Sequence, residues 1–183
     1  VGSQRNPGRL CAALYRQTRP ALVGGARDVL SVDVSRAALA GAERHAAQNG
    51  GEDRHRIFAA DAFDALERLL KQGQRFDVIV VDPPSYATTK RGRFRVAKDF
   101  ERLCRAALSV LEDGGQLLAC VNHHELPQAQ LRRDVHAAAR AVGLPVVRMR
   151  DLPSQRDFPA EVGQEPWMKS VLVVFGRRGR RAG

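Results

Sequence analysis

Residues Phe76-Asp77-Val78-Ile79-Val80-Val81-Asp82-Pro83-Pro84-Ser85-Tyr86 read as a buried strand that ends in an acid, two prolines, a small residue and an aromatic. In an open α/β sheet the carboxyl ends of the strands line the ligand crevice, so the Asp82 carboxylate is expected to point into one. Pro83 and Pro84 fix φ and remove two N–H donors, which makes a rigid turn whose carbonyl oxygens accept from a ligand amino group. Asp82, Pro83 and Pro84 are therefore the expected catalytic group, and Tyr86 beside them offers a ring on which a planar base stacks.

Two further stretches carry polar chemistry. Lys90, Arg91, Arg93, Arg95 and Lys98, interleaved with Phe94, read as a basic loop directly after the turn; it either contacts phosphate, with Phe94 as a stacking face, or is simply a solvated loop. His123-His124-Glu125 lacks the spacing of a metal site and no second cluster supports it, so no metal is expected and the segment reads as a polar loop at the crevice mouth.

The elements that must position these residues alternate short β-branched runs with Ala/Leu/Arg stretches of helical period, the pattern of a βαβ series and a parallel sheet. Strands are expected near Val29–Asp33, His55–Ala59, Phe76–Asp82, Gly115–Val121, Leu144–Arg150 and Lys169–Phe175. Helices are expected near Ala37–Asn49, Phe63–Lys71, Ala97–Leu111 and Pro127–Val142. Gly50-Gly51, Gly73, Gly114-Gly115 and Gly143 close the periodic segments, while Ser35 and Asp61 stand where N-caps belong. Asp151–Met168 reads as a long connection, so the last strand is expected to return antiparallel.

Composition bounds the partners. The 183 residues suit one globular domain and carry a net charge of +10. Such a balance is expected of a chain that meets phosphates. Arg177, Arg178, Arg180 and Arg181 supply four of those charges in a tail, 176–183, that reads as a frayed end. Only Lys71, Lys90, Lys98 and Lys169 are lysines, and the other 26 basic residues are Arg, which forks onto phosphate and also follows genomic base composition. Cys11, Cys104 and Cys120 are far apart with no CxxC, so neither zinc nor a disulfide framework is expected and a reducing, cytoplasmic compartment is the default. No apolar run approaches the roughly 18 residues of a membrane span, and no membrane partner is expected. The start at Val1 instead of Met suggests a piece of a longer protein.

Asp82-Pro83-Pro84-Ser85-Tyr86-Ala87-Thr88-Thr89-Lys90 resembles the fourth motif of the class I S-adenosylmethionine-dependent methyltransferases, and most of all that of the large-subunit ribosomal RNA methyltransferases. Gly25–Ser35 with Asn49-Gly50, Ala60-Asp61-Ala62-Phe63 and Glu165-Pro166-Trp167-Met168-Lys169 agree with it, so the likeness covers roughly Ala21 to Phe175. It implies an α/β, Rossmann-like sheet, mostly parallel with an antiparallel last strand. It implies S-adenosylmethionine as cofactor and ribosomal RNA as partner. Asp33 is then expected to accept from the cofactor's ribose hydroxyls with Ser35 behind it, Asp61 and the Ala62 backbone to meet the adenine, and Asp82 to complete the cofactor site. Tyr86, Lys90, Arg93 and Asn122 are the expected substrate-binding residues.

Members that make 5-methylcytosine use a Cys nucleophile at the position that here is Asn122, with Cys120 two residues earlier. The resemblance thus implies methylation of a guanine nitrogen more than of cytosine C5. The family's first motif, an acid-ended strand and a Gly-rich turn, has no counterpart in Leu10–Pro20, which holds no glycine and carries Arg16 and Arg19. The first strand motif is therefore expected to be degenerate or missing, with 1–20 an atypical N-terminal segment before a methyltransferase domain over 21–175. That departure keeps a second reading open, a methyltransferase fold without cofactor that serves as an RNA-binding module. A nicotinamide dehydrogenase ranks last, because no Gly-x-Gly-x-x-Gly opening occurs.

Overall fold

Short runs of Val, Ile and Leu build a sheet, and Ala/Leu-rich segments of helical period cover it. The computed structural model describes residues 9–12, 18–89, 92–123, 125–153 and 166–179. In chain order the elements are β1 (Arg9–Ala12), α1 (Thr18–Val23), β2 (Asp28–Asp33), α2 (Arg36–Ala47), β3 (His55–Ala59), α3 (Ala62–Lys71) and β4 (Phe76–Val81). There follow β5 (Tyr86–Thr89), β6 (Gly92–Arg95), α4 (Val96–Ser109), β7 (Leu111–Asn122), α5 (Gln128–Ala141), β8 (Val146–Asp151) and β9 (Met168–Phe175).

Seven strands form one sheet in the order β3-β2-β1-β4-β7-β9-β8. Every pairing from β3 to β7 is parallel, whereas β9 runs antiparallel to both β7 and β8, as the long connection before it predicts. Alternation along β2 divides the core: Leu30 and Val32 join the main cluster with α3, α4 and α5, while Val29 meets Leu22 of α1 and Ala46 of α2 on the other face. Full burial of side chains such as Phe76, Phe100 and Leu131 contributes about 1.5–3 kcal/mol each. Helix ends fall close to the glycines expected to close them, with Gly73 at φ 67° and Gly143 at φ 68°.

Two expectations are corrected, and a third, that the first strand motif is degenerate or missing, is narrowed to degenerate: Arg9–Ala12 fills the central slot as a strand without the motif's acid and glycines, with Cys11 in register with Leu30 on one side and Ile79 on the other. The run Arg-Leu-Cys-Ala has neither β-branching nor alternation, and pairing along both edges makes it a strand. The basic stretch after the Pro-Pro turn is no open loop, because β5 and β6 pair as an antiparallel hairpin with Ala87 opposite Phe94. Phe94 is buried instead of exposed in a loop, its ring 6.4 Å from that of Phe63, and it lines the cleft at the strand ends. Lys98 belongs to α4, and Lys90 and Arg91 lie outside the described residues. The start of the tail is likewise no frayed end: Arg178 donates to the carbonyls of Leu108 and Leu111 and pairs with Asp113 at 2.6 Å, closing the C-terminal end of α4.

Candidate functional site

The carboxyl ends of β2, β3, β4 and β7 open onto one cleft of about 510 Å³. That volume lies in the range of about 300–1,000 Å³ usual for small-molecule sites. Each strand delivers its residue at the point where the chain turns away from the sheet. Asp33 ends β2 and lines the cleft, and its Oδ1 accepts from the Ser35 amide at 2.7 Å. Ser35 itself caps α2, its hydroxyl accepting from the Ala38 amide, and it does not line the cleft. Asp61 follows β3 and caps α3 by accepting from the Phe63 amide at 2.9 Å, and both Asp61 and Ala62 line the cleft.

Asp82, Pro83 and Pro84 follow β4 directly and line the same cleft, with Asn122 at the end of the neighbouring β7. The turn is braced from outside: the Ser85 hydroxyl donates to the Asn122 carbonyl at 2.8 Å. Of the expected residues, Asp33, Asp61, Ala62, Asp82, Pro83, Pro84, Arg93 and Asn122 are brought together here. Tyr86 is not among the lining residues; it stands at the rim, on the strand position between Ser85 and Ala87, which do line the cleft. Lys90 lies outside the described residues.

Sequence reasoning passed over Phe63, Arg102 and Met168, which complete the wall. The Arg102 guanidinium lies 4.5 Å over the Phe63 ring and pairs with Asp99 at 3.2 Å. Helical spacing from the buried Leu103 would have placed Arg102 on the cleft edge of α4. Met168 pairs with Asn122 across β7 and β9, a register that only the antiparallel return creates. Cys120 is buried below Asn122, and burial followed by the Asp82 charge pushes its thiol up to about 12. His123, expected in an open polar loop, is instead buried, and His124 lies outside the described residues.

The donor set fits a nucleoside ligand joined to an aliphatic sulfonium. Two carboxylates with an oxygen to spare suit vicinal hydroxyls and an exocyclic amine, and the Val32, Ala60, Ala62 and Phe63 side suits a flat apolar ring. Among the described residues no three His, Cys, Asp or Glu side chains converge as a metal site, and no helix is long and apolar enough to cross a membrane.

Comparison with known proteins agrees with this geometry. Residues 5–172 match the family described as S-adenosylmethionine-dependent methyltransferase. The chain is 31% identical over 147 residues to the ribosomal RNA large subunit methyltransferase I of Alteromonas mediterranea, covering 80% of this chain and 37% of that protein. It is 37% identical over 102 residues to the ribosomal RNA large subunit methyltransferase K/L of Methylococcus capsulatus, covering 54% of this chain and 14% of that one. The chain thus spans well under half the length of these relatives. The crystal structure of SMU.776 complexed with SAH superimposes with a TM-score of 0.79 at 25% identity, over 94% of this chain and 46% of the other. A SAM-dependent methyltransferase from Agrobacterium tumefaciens shares the fold at a TM-score of 0.72, over 95% of this chain and 57% of the other. With its strand order, its acid-rimmed cleft and this match over nearly its whole length, the chain belongs to the S-adenosylmethionine-dependent methyltransferase family.

Proposed function

We propose that this chain transfers a methyl group from S-adenosylmethionine to a base of large-subunit ribosomal RNA, at a guanine nitrogen in preference to cytosine C5. The observation that carries the reading is the convergence of Asp33, Asp61, Asp82 and Asn122 on one cleft at the carboxyl edge of the sheet. When bound, S-adenosylmethionine supplies a methyl group on a positively charged sulfur, a good leaving group. Asp33 accepts from the ribose hydroxyls, and Asp61 with the Ala62 backbone meets the adenine. The Asp82 carboxylate and the Pro83 carbonyl hold the target amino group, and the Asn122 amide hydrogen-bonds the base edge. Because the nitrogen already bears a lone pair or loses its proton readily to solvent, the protein's main task is alignment.

The base preference rests on position 122 and on Cys120. Attack on cytosine C6 needs a thiolate, and a thiol near 12 is ionised to roughly one part in 10⁵ at pH 7. Arg93 on β6, exposed at the cleft, supplies a phosphate contact, and on this reading Lys90 supplies another, in keeping with the net charge of +10. Such a substrate places the protein in the cytoplasm.

A second reading has its own observation: Leu10–Pro20 contains no glycine, where a methyltransferase brings backbone close to the methionine part of the cofactor. On that reading the chain binds RNA without cofactor. Calorimetric titration with S-adenosylmethionine separates the two, followed by transfer of labelled methyl to unmodified ribosomal RNA. Binding and transfer support the enzyme; no heat at millimolar ligand with RNA binding retained supports the module.

A further inference from the structure

We propose that His123 is a positioning residue for the RNA substrate: it turns the Tyr86 hydroxyl outward as a hydrogen-bond donor to an acceptor edge of an unpaired base. The inference rests on the RNA-methyltransferase reading above and assigns a role to a residue that reading leaves unused.

Tyr86 is 64% exposed, yet its side chain is not loose. Its ring meets that of His123 edge-on, with centroids 5.7 Å apart and planes at 63°, and its hydroxyl oxygen lies 3.2 Å from His123 Nε2. The support is itself anchored. His123 is 5% exposed, its Nδ1 accepts from the Glu125 amide at 3.2 Å, and its carbonyl accepts from Nζ of the buried Lys169 at 3.0 Å. The Ser85–Asn122 hydrogen bond ties the residue before Tyr86 to the residue before His123.

The direction of the Tyr86 proton follows from these contacts. A backbone amide only donates, so Nδ1 presents its lone pair and the ring proton sits on Nε2. Nε2–H then donates to the Tyr86 oxygen, and the hydroxyl hydrogen turns away from His123 toward solvent at the cleft rim. Holding an exposed ring still costs side-chain entropy and buries little, so the arrangement stabilises the fold only weakly. It suits a surface that must meet a flat ligand in one pose. Base stacking on an aromatic face is sequence-tolerant, whereas a directed O–H distinguishes bases with an acceptor at that edge.

Trp167, the residue before β9, is exposed as well, at 70%.

The test is a double-mutant cycle on binding of an unmethylated large-subunit ribosomal RNA transcript, at one salt concentration, with the full chain. Tyr86→Phe removes the donor and keeps the ring; His123→Phe keeps the edge contact and removes the Nε2 proton. Each is expected to weaken binding about tenfold, and the double variant no further than Tyr86→Phe alone. His123→Gln, whose amide nitrogen donates to the same oxygen, restores most of the affinity and serves in place of His123→Phe if thermal melting shows that variant unfolded. Multiplying losses in the double variant, or a Tyr86→Phe protein that binds like the parent, overturns the proposal while leaving the RNA reading intact. A parent protein that does not bind the transcript overturns both.

Discussion

Burial and the negative charge of Asp82 together hold the Cys120 thiol at about 12, so this thiol stays protonated at neutral pH. Cys120→Ala is accordingly expected to keep methyl transfer within about twofold, and iodoacetamide to leave this residue unlabelled at pH 8 while the protein is folded. Asn122→Ala is expected to lower kcat/KM for RNA about tenfold or more. Complete loss in Cys120→Ala, with the fold intact by circular dichroism, would reverse the preference for guanine.

Asp61 has two tasks that substitution separates. One oxygen caps α3, and the residue also lines the cleft. Asp61→Ser keeps a cap and is expected to stay within about 0.5 kcal/mol of the parent stability, whereas Asp61→Ala loses about 1 kcal/mol. Both are expected to weaken binding of S-adenosylmethionine by calorimetry, about tenfold. Unchanged affinity in Asp61→Ser would confine the residue to the helix end.

The chain Thr18–Ser31–His55 links α1, β2 and β3 by hydrogen bonds of 3.0 and 2.9 Å. Burial lowers the pKa of His55 below 6.5, against a smaller opposing pull from Glu43. The unfolded chain therefore binds a proton at this residue before the folded chain does. Stability is expected to be full above pH 6.5 and to fall as pH drops below it, toward the lowered folded value. The urea midpoint of the parent, compared between pH 5 and pH 7.5 with that of His55→Gln, checks it: the variant should lose part of the slope. Asp134, whose pKa burial raises, works in the opposite sense, and the comparison with His55→Gln separates the two contributions.

Arg178→Ala is expected to cost about 1–3 kcal/mol, because it deprives the Leu108 and Leu111 carbonyls of a charged donor and Asp113 of its partner. The urea midpoint reads it directly.

Where the chain carries a periodic or capped signal, the sequence reveals the fold. The β-branched runs of β2, β4 and β9 and the cap residues Ser35 and Asp61 announce themselves within a few positions. The acids at strand ends follow from them, because a parallel sheet brings those ends to one edge. The features that escaped are all made by distant partners. Four residues without β-branching become β1 only by pairing on both sides, and Phe94 is buried only because β5 and β6 fold it onto Phe63. Lys169 and His123, 46 positions apart, meet because β9 lies against β7, and neither side chain looks buried in the sequence.

The antiparallel return of β9 also orders the folding of the chain in time. Among the described residues β8 pairs with the sheet through β9 alone, and Leu118 waits for Leu172 as its register partner. On a ribosome, β3 through β7 can assemble while β7 still shows a bare, strongly hydrophobic edge. That edge is sealed only when residues 168–175 emerge, so β9 ends this period of aggregation risk, and contacts of such long range close slowly.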